Sequence, residues 1–188
     1  MVFPSTFALP NVGVYIPDKE LIIFTNKKII EHRKTHGKID PFGIRSESDL
    51  DYLSYKITNH KYKNDSLENT LYVSTEILFV MACKHPFLEG NKTTGYSAAI
   101  LILELNLSNY VNIKTGKNLK VWKPKTEEES EKEGKIVQMI ASWGEGGDYE
   151  RLKKQLFDEG ILGKSNRKPN EEDVRKFIKK FLFKYIIE

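Results

Sequence analysis

His85-Pro86-Phe87-Leu88-Glu89-Gly90-Asn91-Lys92-Thr93-Thr94-Gly95 is a polar segment set between the two most apolar stretches of the chain. Ahead of it runs Leu71 to Lys84, Leu-Tyr-Val-Ser-Thr-Glu-Ile-Leu-Phe-Val-Met-Ala-Cys-Lys; behind it runs Tyr96 to Leu107, in which Glu104 is the only charged residue. Stretches apolar almost all the way round read as helices surrounded by other helices; composition alone also allows buried strands, but length and alanine content favour helix. Pro86 ends the first of them, because a proline disfavours helical backbone in the residue before it. Gly90 allows backbone turns that gather N–H groups, and a helix starting near Asn91 to Thr94 would set its unpaired N–H groups and positive dipole end over the loop. The expected fold class is all-α, a helical bundle with this loop between two central buried helices.

Toward the N-terminus, Gly37 to Arg45 is broken by Pro41 and Gly43 and reads as a loop or a small β-hairpin-like flap. Ser46 then caps a helix carrying Leu50, Leu53 and Ile57, which the polar surface connection His60 to Glu68 ends. Asp18 caps a first helix whose Leu21, Ile22, Phe24, Ile29 and Ile30 keep near-helical spacing to about His32. Pro4, Pro10, Gly13 and Pro17 make an extended lead-in of what precedes it, with Val12, Val14 and Ile16 alternating.

Toward the C-terminus, Asn109 to Lys125 reads as a loop or weak hairpin, and Thr126-Glu127-Glu128-Glu129 is a cap followed by acids that suit a helix start, continuing to Trp143. Gly144 to Gly147 is a turn, Asp148 caps a helix to about Glu159, and Gly160 to Asn170 is a linker. A last helix from Glu171 has Val174, Phe177, Ile178, Phe181, Leu182, Tyr185 and Ile186 on one side. Three units result: a lead-in over 1–20, a helical domain over 21–159 and a C-terminal helical extension over 160–188.

A chain of 188 residues, 39% hydrophobic and 30% charged, is long enough for one substantial core and reads as globular. The net charge of +4 is mixed along the chain, and no basic stripe with interleaved aromatics appears outside Arg175 to Lys184, so a nucleic-acid partner is not expected. That basic amphipathic stretch is expected to pack its aromatic face on the core. Cys83 is the only cysteine, which excludes an intrachain disulfide and a cysteine-based metal site. Met1 to Pro10 has no basic stretch ahead of an apolar block, and Lys84 and Asn106 interrupt the apolar runs, so the reading is a cytoplasmic protein with no membrane partner. His32, His36 and His60 lack neighbours at metal-ligand spacing and are assigned nothing.

The loop contains the parts of a phosphoryl- or nucleotidyl-transfer site. A helix N-terminus attracts phosphate and Lys92 adds a full charge. Glu89 is a hard carboxylate suited to Mg²⁺, and His85 has the proton affinity to accept a proton from an attacking hydroxyl. Phe87 can anchor the loop in the core.

His85, Pro86, Phe87, Glu89, Gly90, Asn91 and Lys92 resemble the motif His-Pro-Phe-x-(Asp/Glu)-Gly-Asn-(Gly/Lys)-Arg of the Fic and death-on-curing (Doc) proteins. Weaker likeness extends over about Leu21 to Glu159. The resemblance implies an all-helical fold in which His85 is the general base and Glu89 binds Mg²⁺. It further implies that Phe87, Gly90, Asn91, Lys92, Thr93 and Thr94 form the nucleotide- and phosphate-binding loop for ATP. A flap ahead of the motif, here Gly37, Phe42, Gly43, Ile44 and Arg45, would dock the target. The implied reaction is transfer of phosphate or AMP to a Ser, Thr or Tyr hydroxyl of a target protein. Lys92, where Fic enzymes usually carry glycine, is the more Doc-like residue, which suggests the toxin of a toxin–antitoxin pair. No Ser/Thr-x-x-x-Glu-(Gly/Asn) inhibitory helix is found, so restraint would come from a separate partner such as an antitoxin.

Two positions depart from the family. Its arginine after Asn-Lys is Thr93 here, and the second arginine of adenylylating members is Tyr96. Guanidinium contacts to a transferring phosphate are worth about three orders of magnitude or more in rate. Two readings therefore stand: a transferase that recruits Arg45 or a lysine instead, or a catalytically degenerate module that binds nucleotide or protein without turnover.

Overall fold

Asp18, Ser46, Thr126 and Asn170 each accept a hydrogen bond from the backbone N–H three residues ahead, and a helix begins immediately after each. Each such cap contributes about 0.5–2 kcal/mol, which is why these boundaries sit where the short polar residues are. In the computed structural model, which describes residues 14–63, 66–107, 116–147, 149–163 and 167–187, the helices are α1 (Lys19–Thr35), α2 (Glu47–Thr58), α3 (Ser66–Lys84), α4 (Asn91–Leu107), α5 (Glu127–Gly144), α6 (Glu150–Asp158) and α7 (Glu171–Phe183). Two short strands, β1 (Lys120–Val121) and β2 (Ile186–Ile187), pair antiparallel, Lys120 with Ile187 and Val121 with Ile186. The described chain is thus mostly helical.

α3 is the axis of the bundle, packed by α2, α4, α5 and α7, while α4 also meets α1 and β1. This is the physical content of its apolar circumference: Val73, Ile77, Leu78, Phe79, Val80, Met81 and Ala82 are all buried because α3 has a neighbour on every side. α7 lays Val174, Ile178 and Leu182 into the same core, with Phe177 and Phe181 beside them, so the basic C-terminal stretch does bury its aromatic face. Among the described residues no helix is long and apolar enough to cross a membrane.

Several sequence expectations shift. α3 begins at Ser66, so the polar connection ahead of it is shorter than expected. Asp148 lies outside the described residues, and the cap position of α6 is Tyr149, whose side chain makes no capping bond. Val12 also lies outside them, but Val14 and Ile16 are buried on either side of the more exposed Tyr15, whose backbone is held by Asn106. The last helix ends at Phe183 rather than continuing through Ile186: Tyr185 O accepts from Trp122 N–H at 2.7 Å, and the β-branched pair Ile186-Ile187 takes a strand partner in β1.

The segment Gly37–Arg45 is not a self-paired hairpin. Its backbone groups bond to the loop after α3, with Leu88 N–H to Gly43 O at 2.9 Å and Arg45 N–H to Pro86 O at 2.7 Å, forming an antiparallel bridge between Ile44 and Phe87. An extended segment satisfied by another segment needs no second strand of its own.

One close approach gives a stability prediction. A Cβ built on Gly144, the last residue of α5, would lie 2.4 Å from Cys83 Cα and 2.5 Å from Cys83 O. Backbone cannot rotate aside, so Gly144→Ala must push α5 off the end of α3. We expect a loss of about 1–3 kcal/mol, the usual range for overpacking a core, read as a lowered chemical-denaturation midpoint. Gly134→Ala, where nothing among the described residues lies within 4 Å, serves as the tolerant control.

Candidate active site

The loop between α3 and α4 is fixed at four points, each traceable to a residue type. His85, the first residue past α3, has φ +51°. That left-handed turn ends many helices but usually falls to glycine, and holding a side chain there costs on the order of 1 kcal/mol or more. Phe87 is fully buried in the core. Asn91 spans the turn with both ends of its amide: Phe87 N–H donates to Asn91 Oδ1 and Asn91 Nδ2 donates to Phe87 O, each at 2.8 Å. Gly90 has φ +79°, and a Cβ there would meet Asn26 Nδ2 at 3.0 Å and Ile30 Cδ1 at 3.3 Å, so only glycine suits both the turn and the approach of α1.

Asn26, in the middle of α1, is a fifth anchor and was not among the residues singled out from sequence. It is completely buried, and its Nδ2 donates to Glu89 O at 2.9 Å and Thr94 Oγ1 at 3.0 Å. The signal was its spacing, since Ile22, Asn26 and Ile30 recur every four residues along one helical face. An amide inside an apolar row must find partners or cost free energy.

Above the loop lies a cavity of about 220 Å³ lined by Arg33, Arg45, His85, Leu88, Glu89, Gly90, Asn91, Lys92 and Glu145. Three of these side chains are cationic and two are carboxylates. The first ladder bond of α4 runs from Thr94 N–H to Gly90 O at 2.8 Å, so the N–H groups of Asn91, Lys92 and Thr93 precede the ladder at the positive end of the helix. His85, Glu89, Gly90, Asn91, Lys92 and Arg45 are thus brought together on one cavity. A second cavity of about 340 Å³ adjoins, lined by Arg33, Lys92, Thr93, Tyr96, Pro124, Ser130, Glu133, Gly134, Val137 and Gln138.

Other expected site residues fall elsewhere. Thr94 is buried with its hydroxyl engaged by Asn26, and Phe87 has both its side chain and its backbone groups committed inward, so neither side chain is available to a nucleotide. They hold the loop. Asn91 lines the cavity, but its amide is likewise spent on Phe87. In the flap, Gly43 and Ile44 abut the loop and Arg45 reaches the cavity, its Nη2 at 3.4 Å from Leu88 O, while Gly37 and Phe42 do not line it.

Two cavity residues were missed. Glu145, read as part of a glycine turn, brings Oε1 to 3.5 Å from His85 Nε2 and 3.7 Å from Lys92 Nζ. Arg33 arrives from α1, one turn beyond Ile30; its Nη1 pairs with Asp40 Oδ2 at 3.0 Å and its Nη2 donates to Thr93 Oγ1 at 3.2 Å. Among the described residues no group of three or more His, Cys, Asp or Glu side chains is placed to hold a metal ion. Glu89 and Glu145 share the cavity, and one or two carboxylates plus phosphate oxygens are how Mg²⁺ is commonly held beside a nucleotide, so these residues fit a metal that arrives with its anion.

His85 Nε2 is buried and has no hydrogen-bond partner among the described residues. Burial pushes the ring's pKa below its ordinary 6.5; Glu145 works in the opposite direction, and the charges of Lys92 and Arg45 reinforce burial. The ring is therefore neutral at pH 7. Because its folded pKa lies below the unfolded one, the unfolded chain binds the proton more readily, so stability is full above the ordinary histidine value and declines as pH falls through 6.5 toward the folded value. NMR titration of the His85 ring should give a midpoint below 6.5, and Glu145→Gln should lower it further. A midpoint at or above 6.5 would contradict the burial described.

Comparison with protein-family models, with curated proteins and with solved structures finds no match. What the fold and site define by themselves is a helical bundle with a cationic cavity at a helix N-terminus beside one neutral histidine.

Proposed function

We propose that the chain is a Fic/Doc-like transferase that moves a phosphate or AMP group from ATP to a Ser, Thr or Tyr hydroxyl of a target protein. The observation that supports this most is the place of His85, whose buried Nε2 makes no hydrogen bond among the described residues, on the lining of a cavity it shares with Lys92, Arg45, Arg33 and the start of α4. A neutral imidazole with an unused nitrogen is a proton acceptor. It would take the hydroxyl proton as that oxygen bonds to phosphorus and the bond to the departing ADP or pyrophosphate breaks. Lys92, Arg45 and the N–H groups at the start of α4 would stabilise the charge spread over the phosphoryl oxygens. Bound Mg²⁺, with Glu89 as its protein ligand, would neutralise further phosphate charge. The segment 37–45, bridged to the loop at Ile44, is the edge along which a target could lie, and an antitoxin or other inhibitory partner would act by covering it.

The test is incubation with ATP labelled at the α- or the γ-phosphate, Mg²⁺ and cell lysate. Retained α label means AMP transfer and retained γ label means phosphorylation; neither label, with ATP shown to be bound, would sink the reading. The second reading, a module that binds nucleotide without turnover, is favoured by Thr93 and Tyr96 standing where the family has arginines. It requires that Thr93→Arg create transfer in a silent protein, and robust transfer by the natural chain removes it.

A further inference from the structure

We infer that Arg33, delivered from α1, is the guanidinium that the loop itself lacks at position 93, and that it clamps the anion at the junction of the two cavities. This rests on the reading that the cavity takes a nucleotide.

Arg33 and Lys92 are the two residues that line both the 220 Å³ cavity over the loop and the 340 Å³ cavity beside it. The smaller cavity is too small for a whole nucleotide but suits a chain of phosphates, and the larger can receive a nucleoside. A ligand spanning the two must cross Arg33 and Lys92. Arg33 Nη2 lies at 3.2 Å from Thr93 Oγ1, so its head sits beside the residue from which an arginine of α4 would itself reach out. The ion pair of Nη1 with Asp40 fixes the direction of the fork and joins it to the segment that bridges the loop at Ile44. Among the described residues Nε and the remaining N–H bonds of Nη1 and Nη2 make no other hydrogen bond and can meet oxygens, and a planar fork of donors matches phosphate in a way a lysine does not. Position along α1 explains why this residue can replace one on α4: Ile22, Asn26, Ile30 and Arg33 follow one helical face, and the Asn26 contacts with Glu89 and Thr94 hold that face against the loop.

The test is calorimetric titration of the full chain with inorganic tripolyphosphate and, separately, with ATP at fixed salt. Arg33→Ala is combined with Asp40→Asn so that no unpaired carboxylate is left to repel the anion. The double variant should bind tripolyphosphate about ten- to a hundredfold more weakly than the natural chain, the worth of one or two charge-assisted hydrogen bonds. Adding Thr93→Arg should restore most of that affinity. Gly134→Leu, which places a side chain in the larger cavity, should weaken ATP while leaving tripolyphosphate unchanged. Thermal unfolding of each variant shows that it is folded, and Arg33→Lys provides a milder change should the double variant fail. Unchanged tripolyphosphate affinity in the Arg33 variants, or no binding by the natural chain, overturns the inference. Label transfer is scored independently: a chain that binds tripolyphosphate through Arg33 and transfers nothing keeps this inference and loses the transferase.

Discussion

His85→Ala is expected to lower label transfer by about 10²–10⁴-fold, the range that a positioned general base supplies, while nucleotide affinity changes little. The split follows from what the ring touches. Its Nε2 makes no hydrogen bond among the described residues and lies at 3.5 Å from Glu145 Oε1, and the ring also bonds to the Ala82 backbone, so removal takes away a proton acceptor, one backbone contact and a small amount of packing. The groups around the cavity, Lys92, Arg33, Arg45 and the start of α4, stay in place because Asn91, Asn26 and Phe87 hold the loop through bonds that do not involve the imidazole. A companion variant separates chemistry from folding. At φ +51° a glycine is unstrained, so His85→Gly should be at least as stable as His85→Ala and equally inactive. Transfer surviving in both would assign the proton to another group, and loss of ATP binding in both would make His85 a structural residue. Where transfer is seen, its acidic limb should fall below pH 6.5, since the neutral ring is the competent form and burial lowers its pKa.

The central pair of helices and the loop between them were legible because burial on all sides writes an unbroken apolar run, and one polar interruption in such a run can only be a connection or a site. Caps were legible for a similar reason, since Asp18, Ser46, Thr126 and Asn170 act through their own backbone within three residues. Contacts between distant segments were not. Nothing local distinguishes Arg33 from the other basic residues that end α1, and its proximity to Thr93 exists only once α1 lies on α4. Glu145 reads as turn filler until α5 is docked on α3. Thr94 and Phe87 were placed by motif position, whereas their side-chain directions depend on Asn26 and on the core. The strand at Ile186-Ile187 was absorbed into a helical pattern because its partner lies more than sixty residues away in sequence.

Removing Arg175 should do more damage to the fold than any other single charge change. Glu76 sits in the middle of α3 and is 1% exposed; its Oε1 accepts from Arg175 Nε at 2.8 Å, and its Oε2 is buried without a hydrogen-bond partner among the described residues. Arg175 is also committed on its other sides, Nη1 to Glu171 at 3.0 Å, Nη2 to the Tyr52 hydroxyl at 3.2 Å, and its plane 3.8 Å from the Phe79 ring centroid. Desolvating two charges offsets much of their attraction, so the intact pair contributes little net stability; an unpaired carboxylate in the core is the expensive state. Arg175→Met keeps the packing over Phe79 and leaves Glu76 alone, and should cost about 3–5 kcal/mol, a large share of the 5–15 kcal/mol that holds a typical domain together. Adding Glu76→Met removes the stranded charge and should recover most of the loss. Chemical denaturation of both variants decides it: a double variant no more stable than Arg175→Met would mean that the guanidinium's bonds to Glu171 and Tyr52, not its neutralisation of Glu76, hold α7 against α3. Because α3 ends at Lys84, one residue before His85, loosening α7 also frees the base of the loop, and nucleotide affinity should fall with stability in the single variant and return in the double.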